Sequence, residues 1–275
     1  MKISIVTAIY DLDRDNWDKA SQASAAPHPR FFVRSLIGEG SYFASFEVML
    51  RMKNDITVFT EEKLRPLFEE LQRKHSNIKV YYRDIYSIFN KELDTIKRIQ
   101  SLDSYKNSQT FPGNPQIWNC GYILVNYLKA WFINEAMKET ELNNNIAWLD
   151  FGYFKNSHGI EREMSFDMEY NFSEKIHFIQ IMDIALPLVS IETIIKGNQV
   201  FIMGGFFVTP KSLAAKCWEL MQDSFNYLAS KDLMDQDQTL MFLAWQRYPE
   251  YFEVHNHSQN KFHITQYSIN QPKVN

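Results

Sequence analysis

At 275 residues, with 45% hydrophobic and 23% charged residues and a formal charge of −4, the chain can bury a large core and lacks the basic surplus of a general nucleic-acid binder. Its two cysteines, Cys120 and Cys217, are far apart and without metal-ligand spacing, which argues against a disulfide framework or a zinc motif and fits a reducing, cytoplasmic compartment. No apolar run reaches membrane-spanning length, and the 15% aromatic content supplies either core filling or platforms for sugars and bases.

Residues 2–7, Lys-Ile-Ser-Ile-Val-Thr, are too briefly apolar for a signal peptide and are expected to form the first strand. A polar stretch from Asp11 to about Arg30 follows, and a loop that long in a compact domain is usually functional or mobile. A helix over 41–53, a strand over 56–60, a helix over 61–75 and a strand over 78–82 then alternate, which is the signature of a parallel sheet. Residues 103–115, with Pro112, Gly113 and Pro115, read as a loop. Over 116–138, Ile117, Cys120, Leu124, Leu128, Trp131 and Phe132 recur at helical steps, which predicts one long helix packed on the sheet. A strand over 146–149, an irregular region over 153–198, a strand over 199–203 running into Gly204-Gly205, a helix over 211–229 and a helix starting near Asp235 complete the order. From about Glu250 the chain is a tail rich in His, Asn and Gln, and the whole is expected to be one domain.

The sharpest functional signal is Asn145-Ile-Ala-Trp-Leu-Asp-Phe-Gly-Tyr153, an apolar strand that ends on one carboxylate. Open α/β sheets bind ligands outside the carboxyl ends of their strands, although an Asp there also simply starts a turn. Parallel strands bring those ends to one edge, so Asp150 is expected near Thr7 and Tyr10, Gly204-Gly205 and Asp235-Gln-Asp-Gln238. A glycine pair admits close approach to a substrate oxygen or marks a bulge. Asp235 and Asp237 either cap a helix or act on an acceptor hydroxyl as general base. Lys129 and Arg34 are within topological reach of a phosphate, against the solvated role usual for such side chains. His255-Asn-His257 offers imidazoles to a metal or a diphosphate, or is a surface pair.

Asp150-Phe-Gly152, Gly38-Glu-Gly40 and Tyr82-Arg-Asp84 also spell fragments of protein-kinase motifs. That reading fails on detail: Phe43 stands where the third glycine of the phosphate loop belongs, and Phe89 where the catalytic-loop asparagine belongs.

Taken in order, Val-Thr-Ala-Ile-Tyr-Asp at 6–11, Val-Phe-Thr-Glu at 58–61, Ala-Trp-Leu-Asp-Phe-Gly-Tyr at 147–153, Gly-Gly-Phe-Phe at 204–207 and Asp-Gln at 237–238 resemble the bacterial HtrL/YibB family. That family looks like a branch of the GT-A-fold glycosyltransferases, and the resemblance runs from about residue 3 to 250. It implies an α/β, GT-A-like (Rossmann-like) fold, a mixed, mostly parallel sheet flanked by helices. Residues 1–150 would be the nucleotide-binding half, and 151–275 the acceptor-side half with the tail.

The implied activity is transfer of a sugar from a nucleotide-sugar donor, a uridine diphosphate sugar, to a growing surface polysaccharide or lipopolysaccharide. An oligosaccharide or lipid-linked glycan would be met in the cytoplasm, at the inner face of the membrane. By analogy Thr7, Ala8 and Tyr10 would cradle the nucleotide, with Arg34 and Lys129 as further contacts. Asp150 would anchor manganese or magnesium and the diphosphate, alone, through water, or with a tail histidine such as His257. Gly204, Gly205 and Gln238 would shape the sugar and acceptor pocket, and Asp237, beside Asp235, would be the carboxylate nearest the reacting carbon. Gly152 stands where the second aspartate of an Asp-x-Asp metal motif would be. That departure keeps open a non-catalytic nucleotide- or carbohydrate-binding protein on the same fold.

Overall fold

The computed structural model describes residues 1–14, 17, 35–38, 41–154, 167–182 and 190–256. At its centre are strands β1 (Ile3–Ile9), β2 (Ile56–Thr60), β3 (Ile78–Tyr82), β4 (Asn145–Leu149), β5 (Ile176–Gln180), β6 (Phe206–Pro210) and β7 (Phe252–Asn256). They form one sheet in the order β3-β2-β1-β4-β6-β5-β7. Neighbours are parallel except at β6, which runs against both β4 and β5. The chain is thus α/β, with a mixed, mostly parallel sheet flanked by helices.

β1, β2 and β4 are buried along their whole lengths because both faces of the sheet are covered. Successive side chains point to opposite faces, so each strand feeds two cores. Val6, Ala8, Ile146, Trp148, Phe178 and Phe207 face one side. There they meet α3 (Asn90–Ser101), α4 (Cys120–Tyr127), α5 (Lys129–Glu139), α6 (Ala214–Ala229) and α7 (Asp237–Arg247), which follow α1 and α2 in the chain. Ile3, Ile5, Ala147, Leu149 and Val208 face the other side, towards α1 (Tyr42–Met49) and α2 (Arg65–Lys74). Many of the aromatic residues fill these cores, as in the stacked rings of Tyr10, Phe132 and Trp148.

Several elements differ from the sequence expectations. The long helix over 116–138 is broken into Pro115–Trp118, α4 and α5. Asn119 turns extended and its side chain accepts from the amide of Tyr122, and Leu128 leaves helical geometry, so capping interrupts an apolar period that runs straight through. Residues 199–203 are not a strand: only the isolated bridge from Gln180 to Ile202 forms there. The strand is Phe206–Pro210, so Gly204-Gly205 precedes it. Because β6 is antiparallel, its start still lies at the carboxyl edge of β1 and β4, with Leu149 opposite Phe206. The tail contains β7, whose Phe252 and Val254 pack inward in alternation. No helix among the described residues is long and apolar enough to cross a membrane.

Candidate functional site

At the end of β4 the structure gathers Asp150, Lys129, Asp237 and Gly204. The ammonium of Lys129 lies 2.7 Å from Asp237 Oδ2 and 2.8 Å from Asp150 Oδ1, and donates at 3.0 Å to the carbonyl of Gly204. Lys129 and Asp237 side chains are each 5% exposed, while that of Asp150 is 40% exposed. Burial alone lowers the pKa of the Lys129 ammonium, and the two carboxylates more than reverse this, so the group is held above its ordinary value and stays charged. Asp150 is further fixed by the indole of Trp148, which donates to Oδ1 at 2.7 Å, and by its own amide, which donates to the carbonyl of Gly205. Asp150 is therefore held at Oδ1 by two donors, while no described group bonds Oδ2.

The glycine pair serves this mount. A Cβ on Gly204 would lie 2.0 Å from Asp237 Oδ2, so only glycine admits the buried carboxylate there. At Gly205 the same atom would stand 3.4 Å from Asp150 Oδ2, an ordinary contact.

Asp235 is turned inward. Its Oδ2 accepts from the Thr239 hydroxyl at 2.7 Å and its Oδ1 from the amide of Gln236 at 2.9 Å, so this buried carboxyl braces the start of α7. Burial pushes this carboxyl up from 3.8 to about 7. Between those values the folded state keeps a proton that the unfolded state has released, so stability from this group is full below about pH 4 and is lost as pH rises through 7. A shift of that size corresponds to roughly 4 kcal/mol. Asp235→Asn is expected to flatten the fall in melting temperature between pH 5 and pH 8 relative to the parent protein. Parallel melts with equal slopes would refute it.

The segment after β1 supplies a feature for which the sequence patterns gave no expectation. Leu12 and Asp13 both adopt left-handed backbone, with φ of 57° and 56°, a conformation that costs about 1–2 kcal/mol per non-glycine residue. Trp17 Nε1 and Asn119 Nδ2 both donate to the carbonyl of Leu12, and the amide of Asp11 donates to Glu61 Oε1, so the strained turn is held from three sides. It delivers Arg14, 6% exposed, between the rings of Tyr42 and Trp17 at 4.3 and 4.7 Å. Arg14 Nη1 donates to the Tyr42 hydroxyl at 3.3 Å, Nε is buried without a partner, and no described carboxylate pairs with the guanidinium. A buried cation without a counter-charge is costly, and the arrangement suits an arriving anion.

Tyr122 links the two parts, since it feels the charges of Asp150, Asp237 and Arg14 while burial raises its pKa. Beside it opens a cleft of about 380 Å³ lined by Leu12, Asp13, Glu61, Lys63, Tyr86 and Trp118 among others, at the carboxyl ends of β1 and β2. The acidic neighbours of Arg14 in Asp11-Leu-Asp-Arg14 disguise it in sequence as one more solvated charge.

Of the expected nucleotide contacts, Thr7, Ala8 and Tyr10 are buried at 0, 7 and 1% exposure, and Tyr10 donates to the carbonyl of Arg83 within the core. Their side chains face the packed interior because β1 is covered on both faces. The open surface lies in the residues that follow. Arg34 and His257 fall outside the described residues. Lys129 is an internal ion-pair partner and does not face solvent. Gln238 Oε1 accepts from Gln236 Nε2, whose own Oε1 accepts from the Tyr122 hydroxyl.

Over residues 1–265 the chain matches the family described as a bacterial protein of unknown function, HtrL_YibB. It belongs to that family. A relative, Protein HtrL of Escherichia coli (strain K12), is 26% identical over 268 residues, spanning 94% of this chain and 89% of that protein. Among solved structures, the apo form of mouse xyloside xylosyltransferase 1 is similar at a TM-score of 0.41 and 13% identity, over 93% of this chain and 85% of that one. A transferase solved as a double cysteine-to-serine mutant is similar at 0.43 and 11%, over 97% and 90%. Both likenesses are distant.

Proposed function

We propose that this member of the HtrL/YibB family is a glycosyltransferase that takes a sugar from a nucleotide-sugar donor, a uridine diphosphate sugar, and adds it to a growing surface polysaccharide or lipopolysaccharide. The observation that carries the reading is the layout at the carboxyl edge. An outward carboxylate, Asp150, is fixed by a buried ammonium, near a buried guanidinium without a described counter-charge and an open cleft. A nucleoside diphosphate sugar matches this layout, with the nucleoside in the cleft, the diphosphate at Arg14 and the sugar towards Asp150 and Gly205.

As the bond from sugar to diphosphate breaks, negative charge grows on the leaving group, and a guanidinium already in place stabilises it without reorganisation. Lys129 holds Asp150 in orientation, and Asp237 holds Lys129, so in this reading Asp237 positions the site and the outward carboxylate is Asp150. The manganese or magnesium implied by the resemblance fits one atom here. Trp148 and Lys129 already occupy Oδ1, no described group bonds Oδ2, and single-carboxylate ligation completed by phosphates is normal for magnesium. Bound there, the ion would add positive charge against the departing diphosphate. A lipid-linked or oligosaccharide acceptor would be met in the cytoplasm at the membrane surface.

Calorimetry with uridine diphosphate, with and without manganese, tests the reading together with a donor-hydrolysis assay. Metal is expected to strengthen binding, and Asp150→Asn to remove that gain and lower donor turnover by about 100-fold to 1000-fold. Metal-independent binding with no turnover of any nucleotide sugar would favour the non-catalytic alternative, which the hold of Lys129 on Asp150 also suits. No nucleotide binding at all would sink the glycosyltransferase reading and leave only carbohydrate binding on the same fold.

A further inference from the structure

On the opposite face of the sheet, at its far edge, His177, Glu253 and His255 form a second polar cluster. We propose that these three side chains bind a zinc-class divalent ion that clasps the edge strand β7 to β5.

The placement follows from strand geometry. Phe252 and Val254 pack into the core that contains Trp148 and the helix of Lys129, so alternation turns Glu253 and His255 to the other face. Parallel pairing sets His177 level with Glu253, and Ile179 level with His255. His177 packs at a tilt against Phe172, 4.7 Å between ring centroids, and Phe172 belongs to the second core. The cluster is therefore separated from Asp150 by the sheet itself, and along the sheet β6 lies between β4 and the cluster's strands β5 and β7.

One potential ligand atom from each residue lies within 4.8 Å of the others. His177 Nδ1 and His255 Nε2 are 2.8 Å apart, and His255 Nε2 is 3.9 Å from Glu253 Oε1. In a tetrahedral zinc shell with bonds of about 2.0–2.1 Å, ligand atoms stand roughly 3.3 Å apart, so each of these two separations needs to change by only about half an ångström, and Glu253 Oε1 closes on His177 Nδ1 from within 4.8 Å.

The groups that would orient these ligands are already in place. His177 Nε2 lies 3.1 Å from the carbonyl of Ser173, which can only accept, so Nε2 carries the proton and Nδ1 offers its lone pair to the cluster. The Ser173 hydroxyl donates to Glu253 Oε2 at 2.7 Å, leaving Oε1 for a metal. His255 becomes a ligand by moving its proton from Nε2 to Nδ1, with no net release. Burial keeps both imidazoles below the ordinary histidine pKa, which favours the neutral ligand form. Two imidazoles and one carboxylate are a borderline donor set, suited to zinc over magnesium. His255 and Glu253 are 29 and 45% exposed, so the fourth position opens to water.

The test uses the purified full chain stripped with chelator and titrated with zinc chloride, reading bound zinc per chain and melting temperature. One zinc per chain is expected, with a rise in melting temperature that magnesium at the same concentration does not give. His255→Ala and Glu253→Gln, both on the exposed side, are expected to weaken zinc binding by at least about 10-fold to 100-fold. Circular dichroism checks that each stays folded, which buried His177 variants need not. Failure to take up one zinc would overturn the proposal. So would uptake unchanged in both variants, which would place the ion on other residues such as the tail histidines His257 and His263.

Discussion

Lys129→Met lowers the free energy of unfolding at pH 7 by about 3–5 kcal/mol, the cost typical of removing one partner from a buried ion pair. Methionine keeps the reach of the side chain but leaves Asp237 as an uncompensated buried carboxylate and the Gly204 carbonyl without its donor. The loss depends on pH with a definite sign. Without the ammonium, burial and the charge of Asp150 raise the folded pKa of Asp237 against only the Gln238 amide, so the variant keeps a proton there that the unfolded chain releases. The deficit is greatest at neutral and higher pH and shrinks as pH falls towards the ordinary carboxylate value. Adding Asp237→Leu should restore most of the loss, because replacing both members of a buried pair by apolar groups is often neutral. Urea denaturation of the two single variants and the double variant gives the cycle. A loss below about 1 kcal/mol, or no recovery in the double variant, would show that this pair is not the keystone of the site.

The site was only partly legible in the sequence, for physical reasons specific to each residue. β2 and β3 stand at their expected boundaries, since short β-rich runs flanked by turn chemistry have few other ways to be buried. Asp150 stood out because one carboxylate closes a wholly apolar strand. The glycine pair was misplaced relative to its strand: apolar runs flank it on both sides, and only pairing with β4 decides which of them joins the sheet. β7 hid in a polar tail, although Phe252, Glu253, Val254 and His255 alternate with the period of a half-buried strand. Lys129 was expected near the site, but an amphipathic helix gives no sign that a lysine points inward until two carboxylates from other elements are seen around it. Tyr10 is expected with Thr7 and Ala8 to cradle the nucleotide, and only the packing of Tyr86 and Phe132 shows that its ring is core.

Arg14→Met is expected to move stability and ligand affinity in opposite directions. In the free protein the guanidinium is buried against two rings with one hydrogen bond to Tyr42 and an unpartnered Nε, so exchange for an apolar side chain removes a desolvated charge and leaves stability unchanged or slightly higher. In the complex proposed above, the same group makes charge-assisted hydrogen bonds to the diphosphate. Hydrogen bonds to charged groups contribute about 1.5–3 kcal/mol, so affinity for uridine diphosphate should fall by roughly 10-fold to 100-fold. Affinity for uridine, which carries no phosphate, should hardly change. Arg14→Lys should recover only part of the loss, because a point charge cannot reproduce the planar fork. The salt dependence separates this from a packing effect: uridine diphosphate binding to the parent protein should weaken with ionic strength more steeply than binding to Arg14→Met. Equal loss for uridine and uridine diphosphate would mean that Arg14 shapes the cleft, and a large drop in melting temperature would mean that its cation-π packing matters more to the fold than its charge matters to the ligand. The strain at Leu12 and Asp13 points the same way, since the turn is held against its own preference while burying a cation that no described carboxylate pairs, an arrangement an arriving anion would stabilise.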